Sequence, residues 1–337
     1  MIQEAINQLV SGENLPKDTA FRVMNEIMSG DTTPAQFGSF VTALRLKGET
    51  AEEISGMAIG MRENALRVVS DGRLIDTCGT GGDGSQSINV STISAFVVAG
   101  AGLKVAKHGN RSITSLCGSA DVLEAAGVKI ELGPNAVEQC IKEIGIGFMF
   151  APIFHPAMRH AAAPRREIGI RTVFNILGPL TNPAGAVSQV LGIADSALGL
   201  KMAEVLRLLG SEHALVVHGE NGMDELSISG TSTIWELNNG EISEYTVQPT
   251  DFDIPLATID AIKSSNKENN LWVMNQVLKG EVGPARDIVL LNAAAALVAG
   301  DLSETMNEGI ELAQYSIESG AALAKLHGLV DLSQQLN

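Results

Sequence analysis

Cysteine is scarce in this chain of 337 residues, which contains only Cys78, Cys117 and Cys140. Because their number is odd and their spacing wide, we expect reduced thiols rather than a disulfide framework. A basic start followed by a long apolar stretch, typical of a signal peptide, is also missing. The longest apolar segment, 288–300, is interrupted by Asn292 and is too short to cross a bilayer. These features predict a soluble cytoplasmic protein.

Basic and aromatic residues are also few. Lys and Arg number 23 against 39 Asp and Glu, so the formal net charge is −16. This acidic surplus disfavours non-specific binding to nucleic acid or to an anionic membrane. Aromatic residues make up 4%, which favours an α/β core built from Ala, Val, Ile and Leu. We therefore expect small-molecule ligands, and any local cluster of basic residues becomes informative.

The first part of the chain, up to about residue 70, has a helical pattern. Thr33 is a good N-cap before Pro34, and apolar residues follow at helical spacing until a glycine ends the helix. Thr50 and Glu53 form a capping-box pattern at the start of the next helix. No convincing strand precedes Leu74, so we predict a small all-helical domain at 1–70.

Beyond Leu74 short apolar runs alternate with helical patterns. This alternation predicts βαβ units, hence an α/β domain at 71–337 with a mainly parallel sheet flanked by helices. Asn239-Gly240 predicts a β-hairpin within 232–247, and the end of the chain returns to helices. Strands are predicted at 73–78, 103–107, 128–132, 147–151 and 213–219, and helices at 91–102, 119–127 and 133–145.

A glycine-rich loop, GTGGDG, lies between the first predicted strand and the following helix. It fits the pattern G-x-G-x-x-G at Gly79, Gly81 and Gly84. Such a loop points backbone N–H groups at an anion, although a tight turn alone would also require glycine. A dinucleotide site needs an acid about 20 positions later, and a P-loop needs Gly-Lys-Ser/Thr. Neither is present, because the first region offers Lys104 and Lys107.

Asp83 within the loop is unusual for a phosphate site. A carboxylate beside phosphates is unfavourable unless a cation or a hydroxyl group lies between them. A ligand that carries both phosphates and Mg²⁺ would resolve the conflict. The loop is followed by hydroxyl and amide donors suited to phosphate or ribose, of which Ser91 is also a candidate metal ligand: Ser87, Asn89, Ser91 and Thr92.

Basic residues follow the next predicted strand, in the sequence KHGNR. Lys107 and Arg111 are either part of an exposed basic turn or cations at the carboxyl end of the strand, where ligands of parallel sheets bind. In an acidic chain, beside a glycine loop, we favour anion binding. The two adjacent loops would then hold more than one phosphate.

Two further clusters carry candidate chemistry. The segment HPAMRHAAAPRREIGIR contains His155, His160, Arg159, Arg165, Arg166 and Arg171. Most of these arginines are expected to be solvated, but one that faces a cleft would bind a carboxylate in bidentate fashion. Asp224-Glu225 follows a buried strand, where it is either a solvated pair or a Mg²⁺ site.

Seven segments together resemble the anthranilate phosphoribosyltransferase family of tryptophan biosynthesis. They occur in the family's order and spacing and cover most of the chain: DTCGTGGDG, SINVST, KHGNR, GSADVLEAAG, HPAMRHA, RTVFNILGPLTNPA and GMDELS. The resemblance implies transfer of the phosphoribosyl group of 5-phosphoribosyl 1-pyrophosphate to the amine of anthranilate. It also implies a homodimer formed through the helical domain, which part of 165–188 joins, with a hinge at 175–184.

The resemblance also implies the roles of individual residues, and no covalent catalytic nucleophile. Anthranilate would contact Gly79, Asn110 and Arg165. Up to two Mg²⁺ ions per subunit are implied, one at Ser91 and one at Asp224 with Glu225. The phosphoribosyl donor would contact Gly79, Gly82, Asp83, Ser87, Asn89, Val90, Ser91, Thr92, Lys107, His108, Gly109, Asn110, Arg111, Ser115 and Ser119.

One departure from the family concerns the carboxylate-binding arginine. The family usually has a proline where this chain has Ala163, before Pro164 and Arg165, and this difference leaves Arg166 as an alternative to Arg165. Three alternative functions share parts of these patterns. A pyrimidine nucleoside phosphorylase shares the fold, a non-catalytic nucleic-acid-binding relative needs a basic face, and an NAD oxidoreductase needs the missing ribose acid.

Overall fold

The computed structural model describes residues 1–112 and 117–336, and its first helices form the predicted all-helical region. The predicted N-cap at Thr33 and the predicted capping box at Thr50 are confirmed, since each threonine accepts a hydrogen bond from the backbone three residues later. No strand lies before Leu74 within the described residues. The four helices are α1 (Ile2–Val10), α2 (Lys17–Ser29), α3 (Pro34–Lys47) and α4 (Ala51–Glu63).

A single seven-stranded sheet, in the order β3-β2-β1-β4-β5-β6-β7, forms the centre of the remaining chain. The first five strands are parallel to one another, β6 is antiparallel to β5, and β7 is antiparallel to β6. This arrangement confirms the predicted fold class and the hairpin at Asn239-Gly240. The strands are β1 (Leu74–Gly79), β2 (Lys104–Gly109), β3 (Ile146–Phe150), β4 (Ser188–Gly192), β5 (His213–Gly219), β6 (Ser232–Asn238) and β7 (Glu241–Val247).

Helices flank this sheet, and four of them close the chain. The connecting helices are α5 (Val90–Ala101), α6 (Ser119–Ala125), α7 (Pro134–Ile144), α8 (Ala151–Phe154), α9 (Arg159–Ile168), α10 (Phe174–Leu177) and α11 (Gly199–Leu208). The final helices are α12 (Lys267–Leu278), α13 (Pro284–Ala299), α14 (Met306–Glu318) and α15 (Ala321–Gln335). Short 3₁₀ turns lie at 156–158, 178–180, 196–198, 220–222, 249–252 and 259–262.

The strand predicted at 128–132 is wrong, and β4 was not predicted. Val128, Ile130 and Leu132 are buried while the residues between them are not, so the alternating pattern does report alternating burial. However, the sheet position beside β2 is occupied by β3, which leaves 128–132 without a ladder partner. β4 begins with the polar residues Ser188 and Gln189, which weaken its apolar signal although all five of its residues are buried.

Two hydrophobic cores lie on the two sides of the sheet. The first joins α5 and α13 to β1, β2 and β3. The second joins the N-terminal helices to residues 161–180, to α11 and to side chains of β4, β5 and β6. The helical region therefore packs against α11, which in turn packs on β5 and β6, and all of them share one apolar interior.

The longest apolar segment lies within α13, which has 16 residues and is buried along nearly its whole length. Across 1–112 and 117–336, no helix combines the length and the apolar character that a membrane crossing needs. The three cysteines form no disulfide in the described part of the chain.

Candidate functional site

A cavity of about 680 Å³ lies at the carboxyl ends of β1 and β2 and reaches the segment 151–181 on the opposite side. The predicted ligand-binding residues of the described ranges all line it, and Ser115 lies outside the described residues. Those that line it are Gly79, Gly82, Asp83, Ser87, Asn89, Val90, Ser91, Thr92, Lys107, His108, Gly109, Asn110, Arg111, Ser119, Arg165, Asp224 and Glu225.

The glycine loop requires glycine for two separate reasons. Gly81, Gly82 and Gly84 have φ of +66°, +78° and +71°, a backbone region that other residues rarely adopt. At Gly79 the reason is space, since an added Cβ would collide with the Asp224 carboxylate. The loop is held there because the Gly81 N–H donates to Asp224 Oδ2 over 2.7 Å. The loop and the acid pair are thus one structural unit.

Three carboxylates, those of Asp83, Asp224 and Glu225, face the same part of the cavity. Burial and the neighbouring Asp83 raise the pKa of Asp224 to about 7. Burial and the Asp224 charge also raise the pKa of Glu225, whose Oε1 accepts from the Ser91 N–H over 3.3 Å. Like charges this close are unfavourable without a cation.

These oxygen ligands fit Mg²⁺. Within the described ranges no three His, Cys, Asp or Glu side chains are arranged to hold a metal by themselves. Mg²⁺ typically binds one or two protein carboxylates and completes its shell with water and substrate phosphate oxygens. Asp224, Glu225 and the Ser91 hydroxyl beside them supply that kind of partial shell.

Lys107 brings a positive charge to the same end of the cavity. Its Nζ donates to the Thr77 carbonyl over 2.6 Å and lies 3.4 Å from Ser91 Oγ. The residue is only 2% exposed. Burial lowers the pKa of Lys107, and the carboxylates of Asp76 and Glu225 oppose this effect.

Asp76 and Asn182, which the sequence did not single out, hold the ends of β1 and β2 apart. These strands pair at only two positions and then diverge. Asp76 accepts from the His108 N–H over 3.3 Å and from Asn182 Nδ2 over 2.7 Å, and Asn182 also donates to the Ala106 carbonyl over 2.8 Å. Side chains therefore replace the missing ladder bonds, and Lys107 lies in the resulting gap.

Two buried histidines, His108 and His155, form part of the cavity wall. Their ring centroids are 5.0 Å apart. Burial lowers the pKa of His108 to about 3 and that of His155 to about 4, so both rings are neutral at pH 7. Each Nε2 is buried without a hydrogen-bond partner among the described residues.

Arg111 lies at the cavity but is already paired. Its guanidinium contacts Glu124 at 2.8 Å and Asp121 at 3.0 Å, and these bonds raise its pKa. It also lies over the Phe150 ring, with 5.6 Å to the centroid. The positive charge expected from the sequence is thus balanced by two acids in this structure.

The arginines of the segment 159–171 differ in their surroundings. Arg165 is half-buried, lines the cavity and stacks on Phe174 with 5.3 Å to the ring centroid. Arg166 is exposed and is not part of the cavity lining. Arg171, which the sequence grouped with the solvated arginines, donates to the Gly81 carbonyl over 3.3 Å. Arg165 keeps a helical backbone, although Pro164 precedes it inside α9.

Comparison with protein families matches nearly the whole chain. A model described as "Glycosyl transferase family, a/b domain" matches residues 71–323. A second, described as "Glycosyl transferase family, helical bundle domain", matches residues 3–65.

Individual proteins are similar over their full length. An anthranilate phosphoribosyltransferase of Dehalococcoides mccartyi is 54% identical over 338 residues, covering 100% of this chain and 99% of the relative. The crystal structure of anthranilate phosphoribosyltransferase from Thermus thermophilus has a TM-score of 0.94 at 42% identity, covering 98% and 99% of the two chains. The Saccharomyces cerevisiae enzyme in complex with PRPP and Mg has a TM-score of 0.91 at 29% identity, covering 99% and 98%.

Proposed function

The chain belongs to the anthranilate phosphoribosyltransferase family, and we propose that it performs this family's reaction in tryptophan biosynthesis. The phosphoribosyl group of 5-phosphoribosyl 1-pyrophosphate (PRPP) is transferred to the amine of anthranilate, and pyrophosphate is released. One observation carries the proposal. A single cavity is lined on one side by the glycine loop with the acid pair and on the other by Arg165.

The donor side of the cavity suits a sugar pyrophosphate. The loop and the N-terminus of α5 direct backbone and hydroxyl donors toward the cavity, and Lys107 adds a cation. Bound Mg²⁺ would neutralise phosphate charge and stabilise the leaving pyrophosphate. We propose up to two ions per subunit, one at Ser91 and one at Asp224 with Glu225. Asp83 lies beside them, where it is suited to hold a ribose hydroxyl or a metal-bound water.

The acceptor side suits a small aromatic carboxylate. We propose that the Arg165 guanidinium binds the anthranilate carboxylate, with Gly79 and Asn110 completing the contact. The amine of anthranilate is neutral at pH 7 and attacks C1 of the ribose without a strong base. No covalent nucleophile is needed, because orienting two bound substrates alone can contribute roughly 7–11 kcal/mol.

The assembly and domain organisation are also proposals. A helical domain of 1–70 that includes part of 165–188 is supported by the core shared between the N-terminal helices and Phe174, Ile176 and Leu180. We also propose a homodimer formed through this domain, to which Val10 on α1 and Leu46 on α3, 73% and 83% exposed, would contribute apolar contacts. We further propose a cytoplasmic location, in agreement with a biosynthetic enzyme that lacks disulfides in its described residues.

The test uses the fluorescence of anthranilate. The signal is expected to fall only when PRPP and Mg²⁺ are both present, with release of one pyrophosphate per anthranilate consumed. A parallel reaction with thymidine and phosphate addresses the phosphorylase alternative. Phosphorolysis of thymidine without loss of anthranilate fluorescence would replace the proposal with that alternative.

A further inference from the structure

We propose that Arg171 is a binding residue for the pyrophosphate of the donor and contacts it from the side of the cavity opposite α5. This inference rests on the proposed function, because it concerns the same donor. It assigns a ligand-binding role to an arginine that the sequence grouped with solvated surface residues.

The first argument is position. α9 ends at Gly169, which has a φ of +68°, and the chain then turns toward the glycine loop. Arg171 Nη2 donates to the Gly81 carbonyl over 3.3 Å. Its Nη1 lies so close to Gly82 that a Cβ there would collide with it. Arg171 thus lies against the part of the loop that is expected to hold phosphate.

The second argument is charge. Within 1–112 and 117–336, no carboxylate lies within ion-pair distance of Arg171, whereas Arg111 is paired with two acids. Lys107 is buried and already bonded to the Thr77 carbonyl. Arg171 is therefore the exposed cation at the loop whose charge remains uncompensated among the described residues. A donor with several negative charges needs such a cation in an acidic protein.

The third argument is exchange of partners. The present bond joins Arg171 to a neutral carbonyl at 3.3 Å, near the long end of the hydrogen-bond range. Bonds from guanidinium to phosphate are shorter and roughly twice as strong as neutral ones. Because the side chain is exposed, it can leave the Gly81 carbonyl for a phosphate at small cost. We interpret the bond to the Gly81 carbonyl as the one that the guanidinium makes when no donor is bound.

The experiment compares Arg171→Ala, Arg171→Lys and the control Arg207→Ala, which removes an exposed arginine on α11 outside the cavity. Titration calorimetry with PRPP and Mg²⁺, without anthranilate, gives the donor Kd directly. We expect Arg171→Ala to raise this Kd roughly 10- to 100-fold, as for loss of a charge-assisted bond. The Lys variant should recover part of the affinity, and Arg207→Ala should match the wild type.

The readouts separate this proposal from its alternatives. The anthranilate KM at saturating PRPP and the unfolding temperature should stay near wild type in Arg171→Ala. An unchanged donor Kd, or an increase confined to the anthranilate KM, would overturn the proposal, as would a loss of stability that accounts for the weaker binding. Calorimetry measures PRPP binding without turnover. If PRPP binds through Arg171 but anthranilate is not consumed, the proposed acceptor is wrong and the proposed role of Arg171 stands.

Discussion

Replacing Asp224 by Asn is expected to stabilise the metal-free protein at pH 8 while weakening its use of Mg²⁺. The amide oxygen of Asn can still accept the hydrogen bond from the Gly81 N–H. The substitution removes the charge that faces Asp83 and Glu225. Repulsion among these carboxylates would then destabilise the metal-free protein less than it does in the wild type.

The magnitude follows from the pKa of Asp224, which is raised from 3.8 to about 7 in the folded protein. The folded state therefore holds this proton more tightly than the unfolded chain. The penalty on stability begins above pH 3.8, increases with pH and is complete above about pH 7. Three pKa units correspond to about 4 kcal/mol, and partial solvation from the cavity reduces this to about 2 kcal/mol. The Asn variant should unfold roughly 3 °C higher at pH 8.

Calorimetric unfolding in EDTA measures this gain, and about half of it should remain at pH 5.5. Asp71→Asn is the matched control, because Asp71 is exposed and lies outside the cavity lining. Adding Glu225→Gln should raise the half-saturating Mg²⁺ concentration roughly tenfold or more. A variant that is less stable than wild type at pH 8 would refute the idea that these carboxylates repel one another.

Three other substitutions test separate features. Arg165→Ala should raise the anthranilate KM roughly 10- to 100-fold with little effect on the PRPP KM, and steady-state kinetics showing a normal anthranilate KM would move the carboxylate contact elsewhere. Burial opposes protonation of His213, but the Glu236 and Asp301 carboxylates raise its pKa. The stability that these bonds contribute is complete below about pH 6.5 and is lost as pH rises through the raised pKa of His213. His213→Gln should therefore reduce the fall in unfolding temperature with pH above about pH 6.5. An unchanged dependence of the unfolding temperature on pH would contradict this prediction. Gly79→Ala should abolish activity because its Cβ meets Asp224, and a near-wild-type rate with unchanged circular dichroism would argue against that clash.

Features encoded by neighbouring residues were predicted well. The capping box at Thr50 needs only a Thr and the Glu53 side chain three residues later, the N-cap at Thr33 needs only a Thr before Pro34, and the β6–β7 hairpin needs only Asn239-Gly240. The order of strands was less accessible, because which segment pairs with β2 depends on competition between distant parts of the chain. β3 has that position, so 128–132 stays outside the sheet in spite of its alternating pattern.

The site shows the same division. The glycine loop, Lys107 and the Asp224-Glu225 pair were expected to meet because they follow strands of a parallel sheet, and the other lining residues followed from the family resemblance. Which arginines form ion pairs was not predicted, since Asp121 and Glu124 reach Arg111 only after α6 has formed. Nothing in the local sequence of Asp76 indicates that its partner is Asn182, 106 positions later.

The core that joins the N-terminal helices to α11 and to β4, β5 and β6 limits how independently the two parts of the chain can change in evolution. The chain matches two family models with a boundary between residues 65 and 71, so its two parts can be recognised as separate units of sequence. Physically, however, removing the first part would uncover the face of α11 that packs against α4. Substitutions in the buried surface that the two parts share must therefore be accommodated on both sides, so the two parts are constrained to change together.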